Sequence, residues 1–365
     1  MTDLTDLPYL LAFTRFHKFG AVHLGRIRDN FPSFAEAWRA PRDDLLRAGV
    51  HPNLASEFVA VRPTISPDAE AQRVAEHGLE AVPFGDERYP VLLSEIHDPP
   101  AVLFVRGSLP KPHETLLSIV GSRDMSPYGE RALEELVPEL IRAGVGIVSG
   151  LAIGVDGRAH HLAVEKAGHT WGVLPGGCDW DSLSPSRHRH LAGRMVMGGG
   201  GIMSEFPIGT PSLKNHFPVR NRIISGMARA TLVVEAAEKS GSLITARSAL
   251  DQNREVLAVP GPITSPLSLG PNRLIRQGAH AVTCAKDILE VLNVEPPEDD
   301  TIRKPLEPQN ATEATLLAHL TREPKHVDDL ARESSLPTPL VLSTLTALEL
   351  RDGVVEVGGN RYRRK

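Results

Sequence analysis

Apolar side chains near the start of the chain recur at helical spacing in Leu7, Leu10, Leu11 and Phe13, again from Phe31 to Trp38, and from Leu45 to Ala48. Pro32, Pro41 and Gly49 interrupt these runs, so residues 1–82 are expected to form a small domain of short helices. Within it, HKFGAVHLGRIRDNFPS (17–33) carries a degenerate helix-hairpin-helix pattern whose glycine turn can offer amides to a phosphate. It lacks the paired glycines of a full motif, so a purely structural turn is the preferred reading.

Beyond about residue 84 the pattern changes. Short β-branched runs at 115–120, 146–149, 170–174, 201–204, 231–235 and 255–259 alternate with helical segments at 127–143, 155–167, 185–194, 217–228, 242–252 and 272–277. Nearly continuous apolar strands alternating with helices predict an α/β domain over 83–292, a Rossmann-like, doubly wound, mostly parallel sheet covered on both faces. Ligands of such sheets sit in the loops at the carboxyl ends of the strands. Pro138 falls inside the first of the helical segments and is expected to kink it. Residues 293–311 are proline-rich, acidic and aperiodic, which marks a linker. Three helical segments at 312–320, 327–333 and 339–351 precede a glycine-turned ribbon, VVEVGGNRYRR, giving 312–365 the order of a winged helix-turn-helix. Its candidate recognition helix, TPLVLSTLTALELRDG, has almost no basic or amide side chains with which to read bases, although Arg361, Arg363, Arg364 and Lys365 can reach phosphates. A protein-interaction role or weak duplex contact is therefore expected of this domain.

The net charge of −5 alone argues mildly against a nucleic-acid partner. Its distribution argues the other way, because only 116–291 is net positive. Within 182–234, Arg187, Arg189, Arg194, Lys214, Arg220, Arg222 and Arg229 face the single acid Glu205. Two cysteines, Cys178 and Cys284, make neither a disulfide framework nor a zinc-ligand spacing, so a reducing compartment fits. Residues 1–6 lack a basic, then apolar, secretory leader, and the longest uncharged glycine-rich stretch, 144–155, falls short of the roughly 20 apolar residues a membrane span needs. A soluble, cytoplasmic protein is expected.

The sharpest local signal is SIVGSRDMSPYGERA (118–132), where a strand ends in Gly121, Ser122 and Arg123 and Ser126 with Pro127 begins a helix. Such a turn aims amides and a helix dipole at one spot, and Arg123 adds a forked cation, so an anion site is expected there. The bland alternative makes Gly121 a simple turn and Arg123 a solvated cap. In SLKNHFPVRNRIISG (212–226), Lys214, Arg220 and Arg222 surround Phe217, beside Asn221, with no carboxylate between Glu205 and Glu235. Single-stranded nucleic acid asks for this mixture, cations for the phosphates and an aromatic face for a base. The alternative places Phe217 in the core. KSGSLITARSAL (239–250) offers Ser240, Gly241 and Ser242 at another strand-to-helix junction, with Thr245 one turn on.

No triphosphate loop, dinucleotide fingerprint or serine-nucleophile elbow is present. Asp156, His160 and His161 invite a metal or acid/base reading, but adjacent histidines point to different helix faces, so a capping Asp156 with His160 packed beneath it is preferred.

Taken together, YPVLLSEIHDPPAVLFVRG, IVGSR, IVSGLAIGVDGRAHH, MSEFPIGT, FPVRNRIISG, TLVVEAAEKSGSLITARSAL, LAVPGPI and LGPNRLIRQGA follow one another in an order that closely resembles the DNA-processing protein A family, also called Smf, of bacterial natural transformation. The resemblance covers nearly the whole chain, and its N-terminal part looks like the family's sterile-alpha-motif-like domain. It implies a homodimer that coats incoming single-stranded DNA, counteracts single-strand-binding protein and loads the recombinase RecA, with no nucleotide or other cofactor and no catalysis. The family's DNA contacts fall here on Arg123, Lys214 and Phe217. The chain departs from the family pattern at LPGGCDWDSLSPSRHRH, where Ser184 and Pro185 stand in place of a tyrosine-proline pair. A competing enzymatic reading, a Rossmann-like nucleotide hydrolase, begins at Pro175, Gly176 and Gly177 but meets Cys178 and Asp179 where its motif would continue, and lacks the catalytic glutamate.

Overall fold

The computed structural model describes residues 6–295, 308–321, 323–351 and 353–364. Most of the expected linker, and Lys365 of the expected wing, lie outside the described residues. The chain divides into two units, 1–297 and 298–365.

The helical spacing at the start of the first unit folds as α1 (Leu7–Arg15), α2 (Ala21–Asn30), α3 (Phe34–Arg39), α4 (Arg42–Arg47), α5 (Pro52–Val61) and α6 (Pro67–Glu76). Phe13, Phe16, Phe19, Trp38 and Phe58 form its ring cluster, Phe13 and Phe58 stacking at 5.0 Å between centroids. Then follow β1 (Glu80–Pro83), α7 (Val91–Ser94), β2 (Val102–Gly107), β3 (Leu116–Val120), α8 (Pro127–Arg142), β4 (Gly146–Ser149), α9 (Val155–Glu165), β5 (Thr170–Val173), α10 (Arg189–Met197), β6 (Gly201–Ser204), α11 (His216–Gly226), β7 (Ala230–Val233), α12 (Ser242–Asp251), β8 (Glu255–Ala258), α13 (Leu269–Arg276), β9 (His280–Ala281) and α14 (Ala285–Leu292). Helix α8 continues through Pro138 to Arg142.

The strands make one sheet in the order β1-β2-β6-β5-β4-β3-β7-β8-β9. From β6 to β9 every pairing is parallel, while β2 joins β6 antiparallel and carries β1 at the edge. Alternation along β3 shows why both faces are covered. Leu117 and Ile119 pack with α8, α9 and α14 on one side, and Leu116 and Val120 with α7, α11 and α12 on the other. At the β2 end, α10 and the N-terminal helices share a third apolar cluster with Phe104, Leu174 and Ile202.

The second unit holds α15 (Ala311–His319), β10 (Lys325–His326), α16 (Val327–Ser334), α17 (Thr338–Leu350), β11 (Val354–Glu356) and β12 (Arg361–Arg364) around Leu316, Leu330, Leu345, Leu348 and Tyr362. Its three strands pair antiparallel in the order β10-β12-β11, with Gly358 and Gly359 at positive φ in the ribbon turn. This is the arrangement of a winged helix.

Candidate nucleic-acid interface

Strand β3 sits at the centre of the sheet with β4 on one side and β7 on the other, and the chain leaves β3 toward β4 but leaves β7 toward β8. Neighbouring connections that diverge leave a crevice at the strands' carboxyl ends, the switch point where doubly wound folds take ligands. A cavity of about 360 Å³ lies there, between Gly121–Ser122–Arg123 after β3 and Ser240–Gly241–Ser242 after β7, with Phe217, Arg220 and Asn221 of α11 as its third wall. Residues 217, 220, 221 and 224 recur at helical spacing, so one face of α11 meets the crevice.

Phe217 is half-buried, and the guanidinium carbons of Arg123 and Arg220 lie 4.8 and 5.9 Å from its ring centroid. Arg123 is exposed, whereas Arg220 is 3% exposed. Its Nη1 donates to the Val173 carbonyl at 2.5 Å, and its buried Nε has no partner. A side chain at Gly150 would collide with this guanidinium, its Cβ falling 2.2 Å from Nη1. Burial lowers Arg220 to about 10, Asp156 opposing the shift, so the group stays cationic at neutral pH. Asp156 lies at the base of the same cavity, where its Oδ2 accepts from the Gly150 amide at 3.1 Å and burial raises its pKa. Asp124 stands exposed at the rim. The crevice therefore sets two arginines against two carboxylates rather than being uniformly positive.

The helix ends around it differ in what they can offer. The N-terminus of α8 is already satisfied from inside the protein. Glu235, 2% exposed at the end of β7, accepts from Ser126 N (2.9 Å) and Ser126 Oγ (2.5 Å), and Ser126 Oγ accepts from Tyr128 N and Gly129 N. The Ser122 amide is spent as well, on the Glu235 carbonyl at 2.7 Å. The expected anion site at the α8 terminus is thus corrected: a buried carboxylate occupies it. Helix α12, by contrast, has no acid in its first turn, and its start lines the cavity. Its leading amides turn to local partners only, Ser242 N to Ser240 Oγ at 3.4 Å, Leu243 N to the Ser240 carbonyl at 3.2 Å and Ile244 N to the Gly241 carbonyl at 3.1 Å. Asn221 Nδ2 reaches the Gly241 carbonyl at 3.4 Å, and the Ser240 and Ser242 hydroxyls bond each other at 2.7 Å.

Arg222 requires a second correction. Two residues from Arg220, it points to the opposite side of α11, where its Nε lies 3.1 Å from Asp98 Oδ2 and its Nη2 pairs with Glu205. It is a buried structural tie. Lys214 is exposed in the turn before α11, outside the cavity lining, and makes no hydrogen bond or ion pair among the described residues. Others of the cationic run are spent elsewhere, Arg189 on the Trp180 carbonyl and Arg229 on that of Leu292.

His160 is fully buried. Thr170 Oγ1 donates to the Ile147 carbonyl, so it accepts from His160 Nδ1–H at 2.7 Å and leaves the buried Nε2 without a partner. His161 instead faces Glu165 at 3.4 Å. Among the described residues no trio of histidine, cysteine or acidic side chains is placed to hold a metal ion, and no helix is long and apolar enough to cross a membrane. The loop at Pro175–Gly177 is not part of the crevice lining; Cys178 beyond it is buried and donates to the Phe104 carbonyl.

A sequence profile described as DNA recombination-mediator protein A matches residues 80–293. The chain belongs to that family. A second profile, the DprA winged helix domain, matches residues 287–360. The chain is 42% identical to protein Smf of Escherichia coli over 288 residues, 77% of this chain and 76% of that one. To the DNA processing protein DprA of Bacillus subtilis it is 44% identical over 60% of this chain and 72% of the relative. Among solved structures, DNA processing protein A of Streptococcus pneumoniae superposes with a TM-score of 0.62 at 35% identity, covering 70% of this chain and 87% of the other. The DNA processing protein A of Helicobacter pylori, described in terms of its single-stranded DNA binding mode, shares the fold at a TM-score of 0.52 and 24% identity, over 60% of this chain and 97% of that one.

Proposed function

We propose that this member of the recombination-mediator family binds single-stranded DNA in the switch-point crevice and hands it to RecA during natural transformation, displacing single-strand-binding protein and shielding the strand. The observation that carries the reading is Phe217 held between Arg123 and Arg220 beside the acid-free start of α12. A base can stack on the ring while phosphates meet Arg123, Lys214 and the positive dipole end of α12. The described binding of single-stranded DNA by the Helicobacter pylori relative supports this choice of ligand. We assign the DNA contacts to Gly121, Ser122, Arg123, Lys214, Phe217, Arg220, Asn221, Ser240, Gly241 and Ser242, with residues 83–292 as the binding domain between the helical part at 1–82 and, beyond a linker at 293–311, the winged helix at 312–365. The protein acts as a cytoplasmic homodimer without cofactor or catalysis, and the winged helix serves a protein partner or weak duplex contact.

The test follows RecA assembly on strands already covered by single-strand-binding protein. Adding the chain is expected to shorten the lag, and Arg123→Ala to restore it. An unchanged lag with the unaltered chain would remove the mediator role.

A further inference from the structure

A second cavity, of about 490 Å³, opens on the other side of α11. Asn215, His216 and Val219 line it, whereas Phe217, Arg220 and Asn221 line the crevice, so the first turn of α11 is the partition between the two. Its far wall comes from the turn between α1 and α2, with His17, Phe19 and Gly20, the segment in which a helix-hairpin-helix pattern is only faintly written. The volume lies within the range, roughly 300–1,000 Å³, of pockets that hold small ring systems.

Its chemistry differs from that of the crevice. Phe206 and His216 stack with centroids 4.2 Å apart and planes 15° apart, both half-buried, and His216 Nδ1 is tied to the Pro175 carbonyl at 3.1 Å, which fixes the imidazole plane. The cation in the wall, Arg15, is already committed to the Ile208 carbonyl and to Glu70. Glu205 also lines the cavity, and its Oε1 is buried without a hydrogen-bond partner. An aromatic shelf with an unpartnered carboxylate oxygen and no free guanidinium repels a phosphate and suits a flat, neutral ring bearing an amino group.

We propose that this cavity is a nucleobase site, receiving a base of the same strand whose neighbour stacks on Phe217 and whose phosphates pass the unpaired Lys214 between them. The inference rests on the reading of the crevice given above and gives the N-terminal helices a part in DNA binding. It favours bases with an exocyclic amino group, adenine, cytosine or guanine, over thymine.

The experiment has two arms on the full chain. Affinity is measured against oligothymidylates of increasing length, then against the same lengths of oligodeoxycytidylate; and a bound oligonucleotide is photocrosslinked and the modified residues mapped. Expected are crosslinks at both Phe206 and Phe217, tighter binding of long oligodeoxycytidylate than of long oligothymidylate, and, in His216→Ala, a loss of about five- to tenfold in affinity for long strands with short ones unaffected. Crosslinks confined to Phe217, or equal losses at every length in His216→Ala, would overturn the second site while leaving the first intact. Absence of binding at any length by the unaltered chain would instead remove the underlying reading. The crosslinking arm stands even where the variant fails to fold.

Discussion

Arg123, Phe217 and Arg220 act through one another: each guanidinium gains a ring face, and the ring is held at an angle that a base can meet from outside. Replacing Arg123 or Lys214 with alanine is expected to weaken oligothymidylate binding without regard to sequence and to flatten the slope of log affinity against log salt by about 0.7 for each phosphate left without its cation. Phe217→Ala should cost about 1–3 kcal/mol with little change in that slope, because stacking releases no counterions. Mobility shifts at two salt concentrations separate the two behaviours. Arg222→Ala should do the reverse: losing one partner of a buried ion pair typically costs roughly 3–5 kcal/mol of stability, and the salt slope should stay put. Urea melts check the first half. Sequence order presented Arg220 and Arg222 as one cluster. They are 200° apart around a helix, and the acids that claim Arg222 come from remote segments, Glu205 after β6 and Asp98 beyond α7. The chemistry of the cluster was thus legible and its division was not. His160 gives a pH signature at the same scale. Burial lowers it to about 3 from 6.5, so the unfolded chain takes up a proton that the folded chain refuses. Its contribution is whole above pH 6.5 and drains away below, by roughly 2 kcal/mol between pH 7 and 5. Denaturant melts of His160→Asn across that window should lose less stability than the unaltered chain by about this amount; parallel curves would deny it.

Elements decide which helix dipole is left for DNA. Helix α8 follows the most conspicuous motif, yet Glu235 has filled its N-terminus, while α12, following a plainer Ser-Gly-Ser junction, meets no carboxylate there. The sequence displays the glycine turn and the cap; it does not display a carboxylate arriving from the neighbouring strand, Glu235 standing 109 residues from Ser126. Close backbone approach fixes the rest of the crevice. Gly154 has φ +79°, and a Cβ there would fall 2.2 Å from the Ser122 carbonyl, so the loops after β3 and β4 lock together only with glycine. Gly154→Ala is expected to lower the melting temperature and weaken DNA binding together, since the strain moves the Arg123 loop; calorimetry beside a binding curve would show either the coupled loss or an unmoved protein. The strands of the central sheet were readable because burial on both faces makes them continuously apolar. Strands β1 and β9 and helix α7 were not, because elements of two to four residues have too little periodicity to register, and β2 and α14 were missed although β2 is a buried apolar run and α14 repeats its apolar positions at 285, 288, 289 and 292.

At the scale of the whole molecule, a net charge of −5 is reconciled with a polyanion by placement. Much of the cationic run in 182–234 is consumed by carbonyls and carboxylates, while Lys214 and the face of Arg220 toward the cavity join Arg123, from outside the run, near the start of α11 at the sheet's switch point. Topology, more than composition, sets the site. The family and the layered architecture follow from motif order along the chain, but the crevice exists because β7 returns to pair with β3, a long-range choice that no local pattern spells out. A structure of the full chain with a short oligothymidylate measures this most directly. The account predicts a base against Phe217, with flanking phosphates beside Arg123 and the start of α12. A strand lying away from that crevice, along the winged-helix ribbon for example, would contradict it.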